Sequence, residues 1–218
     1  MKKPGICAVI ANKDLAAITE LEPLVELFEV RIDLIGDGWP EVARGLNKPW
    51  IATNRLAQEG GGWRQSEARR KEELLKALQL GASIIDIELS TRNLEKTVGL
   101  IKKTAKCLIS SHDLEKTPPL DRLKEIVDRQ QAAGADICKV ITTAQKFDDN
   151  VTILQLFREF PERPMIAFAM GPLGLISRIL CPLVGGQFTY ASSQKGAESA
   201  AGQLTVNELA RLYQRVSP

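Results

Sequence analysis

Histidine is almost missing from this chain: among 218 residues there is one, His112. The four cysteines, Cys7, Cys107, Cys138 and Cys181, are widely scattered and form no CxxC pair. With a single histidine to join them, no metal site is expected. Four reduced thiols in a cytoplasmic protein is the plain reading of that spacing. Strong charge of either sign is also lacking. Lys and Arg number 29 against 27 Asp and Glu, a formal charge of +2, so the basic excess of a nucleic-acid binder is absent. Any anionic ligand must therefore be met by a local cluster. No apolar run has the length of a membrane-spanning helix. The short apolar run after MKKPG turns polar by Asp14, unlike a secretory signal. No low-complexity tract or short repeat interrupts the chain.

What remains is an ordinary globular composition, 44% apolar, long enough for one sizeable core. Eight short β-like runs recur, at 6–11, 27–35, 50–55, 83–89, 107–113, 137–143, 164–170 and 187–192. Helical periodicity lies between them. It is clearest in SEARRKEELLKALQLGA, PLDRLKEIVDRQQAAGA and DDNVTILQLFREF, and weaker over 19–26, 41–46, 92–104, 173–180 and 205–216. Several of these segments end at glycine, a common helix terminus. Eight alternating βα units without a linker point to one α/β domain over 1–218, a (β/α)8 TIM barrel. An open doubly wound sheet competes, but it usually has fewer strands, and GxGxxG does not follow the first strand.

Within that fold, FEVRIDL (28–34) is informative. Alternation puts Glu29, Arg31 and Asp33 on one face and Phe28, Val30, Ile32 and Leu34 on the other. A half-exposed strand would leave the charges in water, but a barrel strand has no water-facing side along its length. These charges therefore face the barrel interior or its mouth, paired with each other, with neighbouring strands or with a ligand. Arg55, Asp86, Glu88, His112 and Lys139 sit in or at the ends of later strands, at the end of the barrel where active sites are built. A purely structural ion-pair network is the alternative for Asp33, Asp86 and Glu88.

Lys139, in ICKVITT, has apolar neighbours on both sides, an unusual place for a lysine kept only for packing. Its natural chemistry is attack on a carbonyl to form a Schiff base. Neutralising an ordinary lysine at pH 7 costs roughly 4 to 5 kcal/mol, which desolvation and nearby arginines would reduce. An iminium acidifies the adjacent C–H, and an imidazole is suited to moving that proton, which gives His112 a role complementary to Lys139.

On these residues the sequence resembles the type I 3-dehydroquinate dehydratase family over nearly its whole length. The matching stretches are ExRxD (Glu29, Arg31, Asp33), R-x3-EGG (Arg55, Glu59), S-x-HD-x3-TP in SSHDLEKTP, the lysine strand ADICKV, MGPLGLISR (Met170 to Arg178) and SAxGQ (Ser199 to Gln203). The resemblance implies dehydration of 3-dehydroquinate to 3-dehydroshikimate in the shikimate pathway by syn elimination, with no metal or organic cofactor. It implies that Lys139 forms the imine, His112 moves the proton, and Glu59, also catalytic, positions His112 and assists proton transfer. It further implies that Arg178 holds the substrate carboxylate, and that Glu29, Arg31, Arg55, Ser199 and Gln203 bind substrate or order the site.

Three departures from the family pattern stand out. Ala201 replaces a common proline, Ser111 replaces a common aromatic, and the chain starts almost directly on its first strand, so an N-terminal hairpin under the barrel is expected to be reduced or missing. Segment 192–203 has the composition of an active-site lid, with a solvated connection as the alternative. EGGGW (59–63) could form an anion-binding loop, and MGPLG with VGGQ a phosphate site. Those two readings favour the alternative activity, a class I aldolase acting on a sugar phosphate. A non-catalytic barrel with a small-acid pocket is the third reading. The expected partner is a small-molecule substrate, with no nucleic acid and no membrane. The oligomeric state is not fixed by the sequence, and a homodimer is one arrangement it allows.

Overall fold

Each of the eight apolar runs becomes a strand in the computed structural model, which describes residues 4–216. The strands are β1 (Ile6–Ile10), β2 (Leu27–Arg31), β3 (Trp50–Thr53), β4 (Ile84–Glu88), β5 (Lys106–His112), β6 (Ile137–Thr143), β7 (Met165–Met170) and β8 (Thr189–Ser192). The helices are α1 (Leu15–Leu21), α2 (Ile32–Ile35), α3 (Trp39–Arg44), α4 (Glu67–Gln79), α5 (Leu94–Ile101), α6 (Leu120–Ala132), α7 (Asp148–Leu154), α8 (Leu156–Glu159), α9 (Leu175–Leu180) and α10 (Val206–Val216).

All strand pairs are parallel, in the order β7-β6-β5-β4-β3-β2-β1-β8. The ring closes between β7 and β8, where Gln187 N donates to Met165 O at 3.0 Å and Phe168 meets Tyr190 edge-on at 6.4 Å between ring centroids. The expected (β/α)8 barrel is therefore the fold. The two ends of the domain expected over 1–218, and the question of an N-terminal hairpin, fall on Met1–Lys3 and Ser217–Pro218, outside the described residues.

Parallel barrel strands are covered on both faces, so they read as nearly continuous apolar runs; every residue of β1 is buried. Alternate residues such as Ala8, Phe28, Val30, Ile85 and Ile109 pack outward against the helices. The intervening residues fill the barrel, where Cys7, Val9 and Ile51 belong to its apolar filling and Val9 and Ile51 flank Glu29 in the strand register. All four cysteines are free and buried. No helix is long and apolar enough to cross a membrane among the described residues.

Among the boundaries that differ from expectation, two are instructive. The run 27–35 is not all strand. β2 stops at Arg31 and the chain turns into α2, so Asp33 leaves the strand face. IDLI suits either period, since four residues are too few to separate period 2 from 3.6. The helix expected over 19–26 begins earlier, because Asp14 caps α1 by accepting from Ala17 N at 3.1 Å, and it tightens to a 3-10 turn at Pro23.

Candidate active site

A cavity of about 300 Å³ opens at the C-terminal ends of the strands. This is the end at which a barrel of this kind carries its chemistry. Glu29, Arg31, Arg55, Glu59, His112, Lys139, Arg178, Ser199 and Gln203, all of the candidates drawn from the sequence, line it together.

The strand register places the inward-facing charges level with each other. Glu88 pairs with Ser110, and Ser110 with Lys139. Lys139 Nζ donates to Asp86 Oδ2 at 2.9 Å, lies 3.8 Å from Glu29 Oε1, and sits over the Tyr190 ring at 4.3 Å from its centroid. The arginines expected around this lysine are present, but carboxylates stand between them and it. Arg55 Nη2 lies 2.6 Å from the same Asp86 Oδ2, while Arg55 Nη1 reaches Ser110 Oγ at 2.7 Å and Glu88 Oε1 at 3.1 Å. Burial alone would raise the Asp86 carboxyl; the Arg55 and Lys139 charges outweigh it and hold Asp86 far below the usual carboxylate range. Asp86 and Glu88 thus form the structural ion-pair network weighed above, in contact with the candidate nucleophile.

His112 Nδ1 is 3.0 Å from Glu59 Oε2, and Ser90 Oγ donates to Glu59 Oε1 at 2.9 Å. With Nδ1 carrying its proton toward the carboxylate, Nε2 is left as the free base. Burial, and then the positive charges of Arg55 and Lys139, keep the imidazole well below its ordinary pKa of 6.5. It is therefore neutral near pH 7, as a base must be. Burial also pushes the Glu59 carboxyl above its ordinary range, against the pull of Arg55.

Asp33, displaced from the strand, bends back to grip Arg31 with both oxygens, at 2.9 Å from Nε and 2.7 Å from Nη2. It also accepts from Gly62 N at 2.8 Å, tying Arg31 to the loop that carries Glu59. This explains why EGGGW is not an anion cradle. Its amides are used within the protein: Gly60 N donates to Ala57 O and Gly61 N to Leu56 O. A Cβ on Gly61 would lie 2.1 Å from Arg55 O. The phosphate site expected from MGPLG and VGGQ fails for a different reason. Gly186 and Gln187 pack beside Cys181 and Met165, at the start of β7, whereas MGPLG lies at its end.

Arg178 is set in a different environment. Ser177 anchors α9 to the end of β7, donating from Oγ to Gly174 O at 2.8 Å and accepting from Ala169 N at 2.9 Å. Arg178 then lies over the Phe168 ring, 4.4 Å from its centroid, with Nε and Nη2 buried and unpartnered among the described residues. Burial lowers its pKa to about 10, so it is still a cation. Across the cavity mouth, Gln203 Oε1 accepts from Ser199 N at 2.8 Å, and Ala201 O accepts from Gly171 N at 3.2 Å. Gly202 has φ +74°, and a Cβ there would meet Gly171 O at 2.7 Å, so glycine is needed for this close approach.

Two contributors were missed from sequence. Tyr190 could have been found as an inward position of β8. Arg70, on α4, looks like a surface charge, yet it is buried and pairs with Glu88 behind the cavity wall. Among the described residues, no group of three or more His, Cys, Asp or Glu converges to hold a metal ion.

The family model of Type I 3-dehydroquinase matches residues 6–217. The chain belongs to the type I 3-dehydroquinase family. The 3-dehydroquinate dehydratase of Dehalococcoides mccartyi strain BAV1 is 44% identical over 217 residues, covering 100% of this chain and 98% of that one. The enzyme of Methanosarcina mazei is 34% identical over 230 residues, covering 98% and 95%. In fold, the chain is similar to the type I 3-dehydroquinate dehydratase of Clostridium difficile, solved with covalently modified comenic acid (TM-score 0.85, 24% identity, 100% and 95% covered). It is also similar to 3-dehydroquinate dehydratase from Aquifex aeolicus (TM-score 0.82, 26% identity, 98% and 99% covered). The activity is thus the dehydration of 3-dehydroquinate in the shikimate pathway, through the Schiff base characteristic of type I enzymes. The aldolase and non-catalytic readings give way to it.

Proposed function

We propose that Lys139 is the Schiff-base lysine and His112 the residue that moves the proton. The observation that carries this reading is one buried amine and one neutral imidazole lining the same cavity. Lys139 Nζ, having given up a proton, attacks the C3 ketone of 3-dehydroquinate, and loss of water leaves an iminium. His112 Nε2 takes the C2 proton that the iminium has acidified, forming an enamine. The enamine's electrons expel the C1 hydroxyl, which leaves as water with the proton returned by His112. Hydrolysis of the conjugated imine frees 3-dehydroshikimate and Lys139.

Glu59 orients His112. Glu29, Arg31 and Arg55 order the polar side of the cavity, and Arg178 receives the carboxylate. Segment 192–203 acts as a lid, with Ser199 and Gln203 facing the substrate. His112→Ala should lower turnover by about 10² to 10⁴, the range for losing a general base, as followed by the absorbance of the conjugated product. Turnover near that of the unchanged enzyme would remove His112 from the chemistry.

The enzyme works in the cytoplasm, in keeping with its four free thiols; a disulfide in protein isolated from cells would contradict this. It is a homodimer formed through an exposed apolar patch. There Phe147 and Val151, 63% and 56% exposed, lie beside Leu173, whose carbonyl takes the Asn150 amide at 2.7 Å. Sedimentation as a monomer at micromolar concentration would contradict the dimer.

A further inference from the structure

We propose that Arg70, on the helix side of the barrel wall, is a positioning residue for the reactive amine; this rests on Lys139 being the Schiff-base lysine. Arg70 lies on α4, where Arg69, Glu72 and Lys76 face solvent, yet like Glu73 it is buried, and completely so. It does not line the cavity. Its Nε and Nη2 hold both oxygens of Glu67 at 2.8 and 2.9 Å, and Nη2 also reaches Thr91 Oγ1 at 2.9 Å. Nη1 bonds Asn54 O at 3.3 Å and, at closer range, Glu88 Oε2.

Glu88 carries the contact through the wall. Its other oxygen, Oε1, accepts from Leu56 N and meets Arg55 Nη1, each at 3.1 Å. Arg55 in turn lies 2.6 Å from Asp86 Oδ2, the oxygen that also receives Lys139 Nζ at 2.9 Å. The sequence Arg70–Glu88–Arg55–Asp86–Lys139 is therefore an unbroken alternation of buried charges, each divided between two partners.

That division is the physical content of the proposal. Glu88 shares its charge between two guanidinium groups, which leaves Arg55 free to share its own with Asp86. Without Arg70, Glu88 keeps its charge with one arginine left, and the low dielectric of the wall makes that imbalance strong. Arg55 is drawn toward Glu88 and away from Asp86, and Asp86 then holds Lys139 alone and more tightly. The amine is released to the ketone less readily and from a shifted position. A residue that merely staples α4 to the barrel would lower stability on removal and leave the chemistry unchanged.

The test is kinetic. Arg70→Met should lower kcat about 10- to 100-fold, the scale of a small misplacement of a reacting group, and leave KM within about threefold, because no cavity contact is lost. Borohydride with 3-dehydroquinate should still label Lys139 in this variant, at a rate reduced in proportion. Arg70→Lys keeps the charge but cannot span all four partners, Glu67, Thr91, Asn54 and Glu88, so it should retain part of kcat, and it carries the test should Arg70→Met fail to fold. Arg70→Met combined with Glu88→Gln should lose less than the product of the two single losses, as members of one chain do. Unchanged kcat and labelling rate in Arg70→Lys or Arg70→Met, whatever happens to Tm, would overturn the proposal, as would multiplying losses. Labelling of a different lysine in the unchanged enzyme would instead overturn the Schiff-base reading on which it rests.

Discussion

Arg55 and Arg178 are both buried arginines lining one cavity, and their surroundings are opposite. Arg55 sits among Asp86, Glu88 and Ser110, and although burial works against its charge, the two carboxylates raise its pKa well above the ordinary value. Among the described residues Arg178 has an aromatic ring, no carboxylate and two unpartnered nitrogens, and burial lowers its pKa. A buried charge without a partner is costly, so it persists where something outside the chain completes it. The β2–β5 side of the barrel is thus neutralised before any substrate arrives. The β7–β8 side holds a cation that a substrate carboxylate would satisfy.

Among effects on substrate binding, the largest should come from breaking that second side. Arg178→Met should raise KM for 3-dehydroquinate about 10- to 100-fold, the value of a charged hydrogen-bonded contact, while Arg178→Lys, with a cation but no fork, should fall between. An unchanged KM in both variants would mean that the carboxylate is bound elsewhere.

A smaller effect belongs to the mouth of the cavity. Gln203→Ala should raise KM by roughly 2- to 10-fold, the worth of a neutral hydrogen bond, with a lesser loss in kcat. Limited proteolysis within 192–203 should slow when product is bound. If neither KM nor cleavage responds, the segment is a plain connection.

The smallest effect concerns the neutral imidazole of His112. The folded pKa of His112 is depressed, whereas in the unfolded chain it titrates near its ordinary value of 6.5. As pH falls below about 6.5, the unfolded state takes up a proton that the fold refuses. Stability is therefore lost on acidification, by at most about 1.4 kcal/mol per pH unit for one proton, and is fully present above that window. His112→Gln should flatten the dependence of the urea midpoint between about pH 5 and 7. The same slope in both proteins would show that His112 does not titrate there.

Much of this was legible in the chain. The eight strands stood out because barrel strands are apolar throughout, and the charged exceptions, Glu29, Lys139 and their neighbours, were conspicuous against that background. Their convergence on one cavity followed from the fold. What could not be read were features that look the same locally in two contexts. Asp33 alternates correctly for a strand, yet it sits in a helical turn and clamps Arg31. Arg70 makes an i,i+3 pair with Glu67 like any surface arginine. Its position one turn before Leu74 and two before Ala77, on the buried stripe of α4, was the one signal that it points inward. The glycines of EGGGW and VGGQ suggested ligand loops because glycine permits close approach, but in both loops it is the protein's own chain that approaches.

The most direct measurement is borohydride reduction during turnover of 3-dehydroquinate, followed by peptide mass mapping. The account predicts inactivation, with ligand mass on the peptide containing Ile137 to Ile141 and therefore on Lys139. An inactivated enzyme with Lys139 unmodified, or with the adduct on another lysine alone, would contradict it.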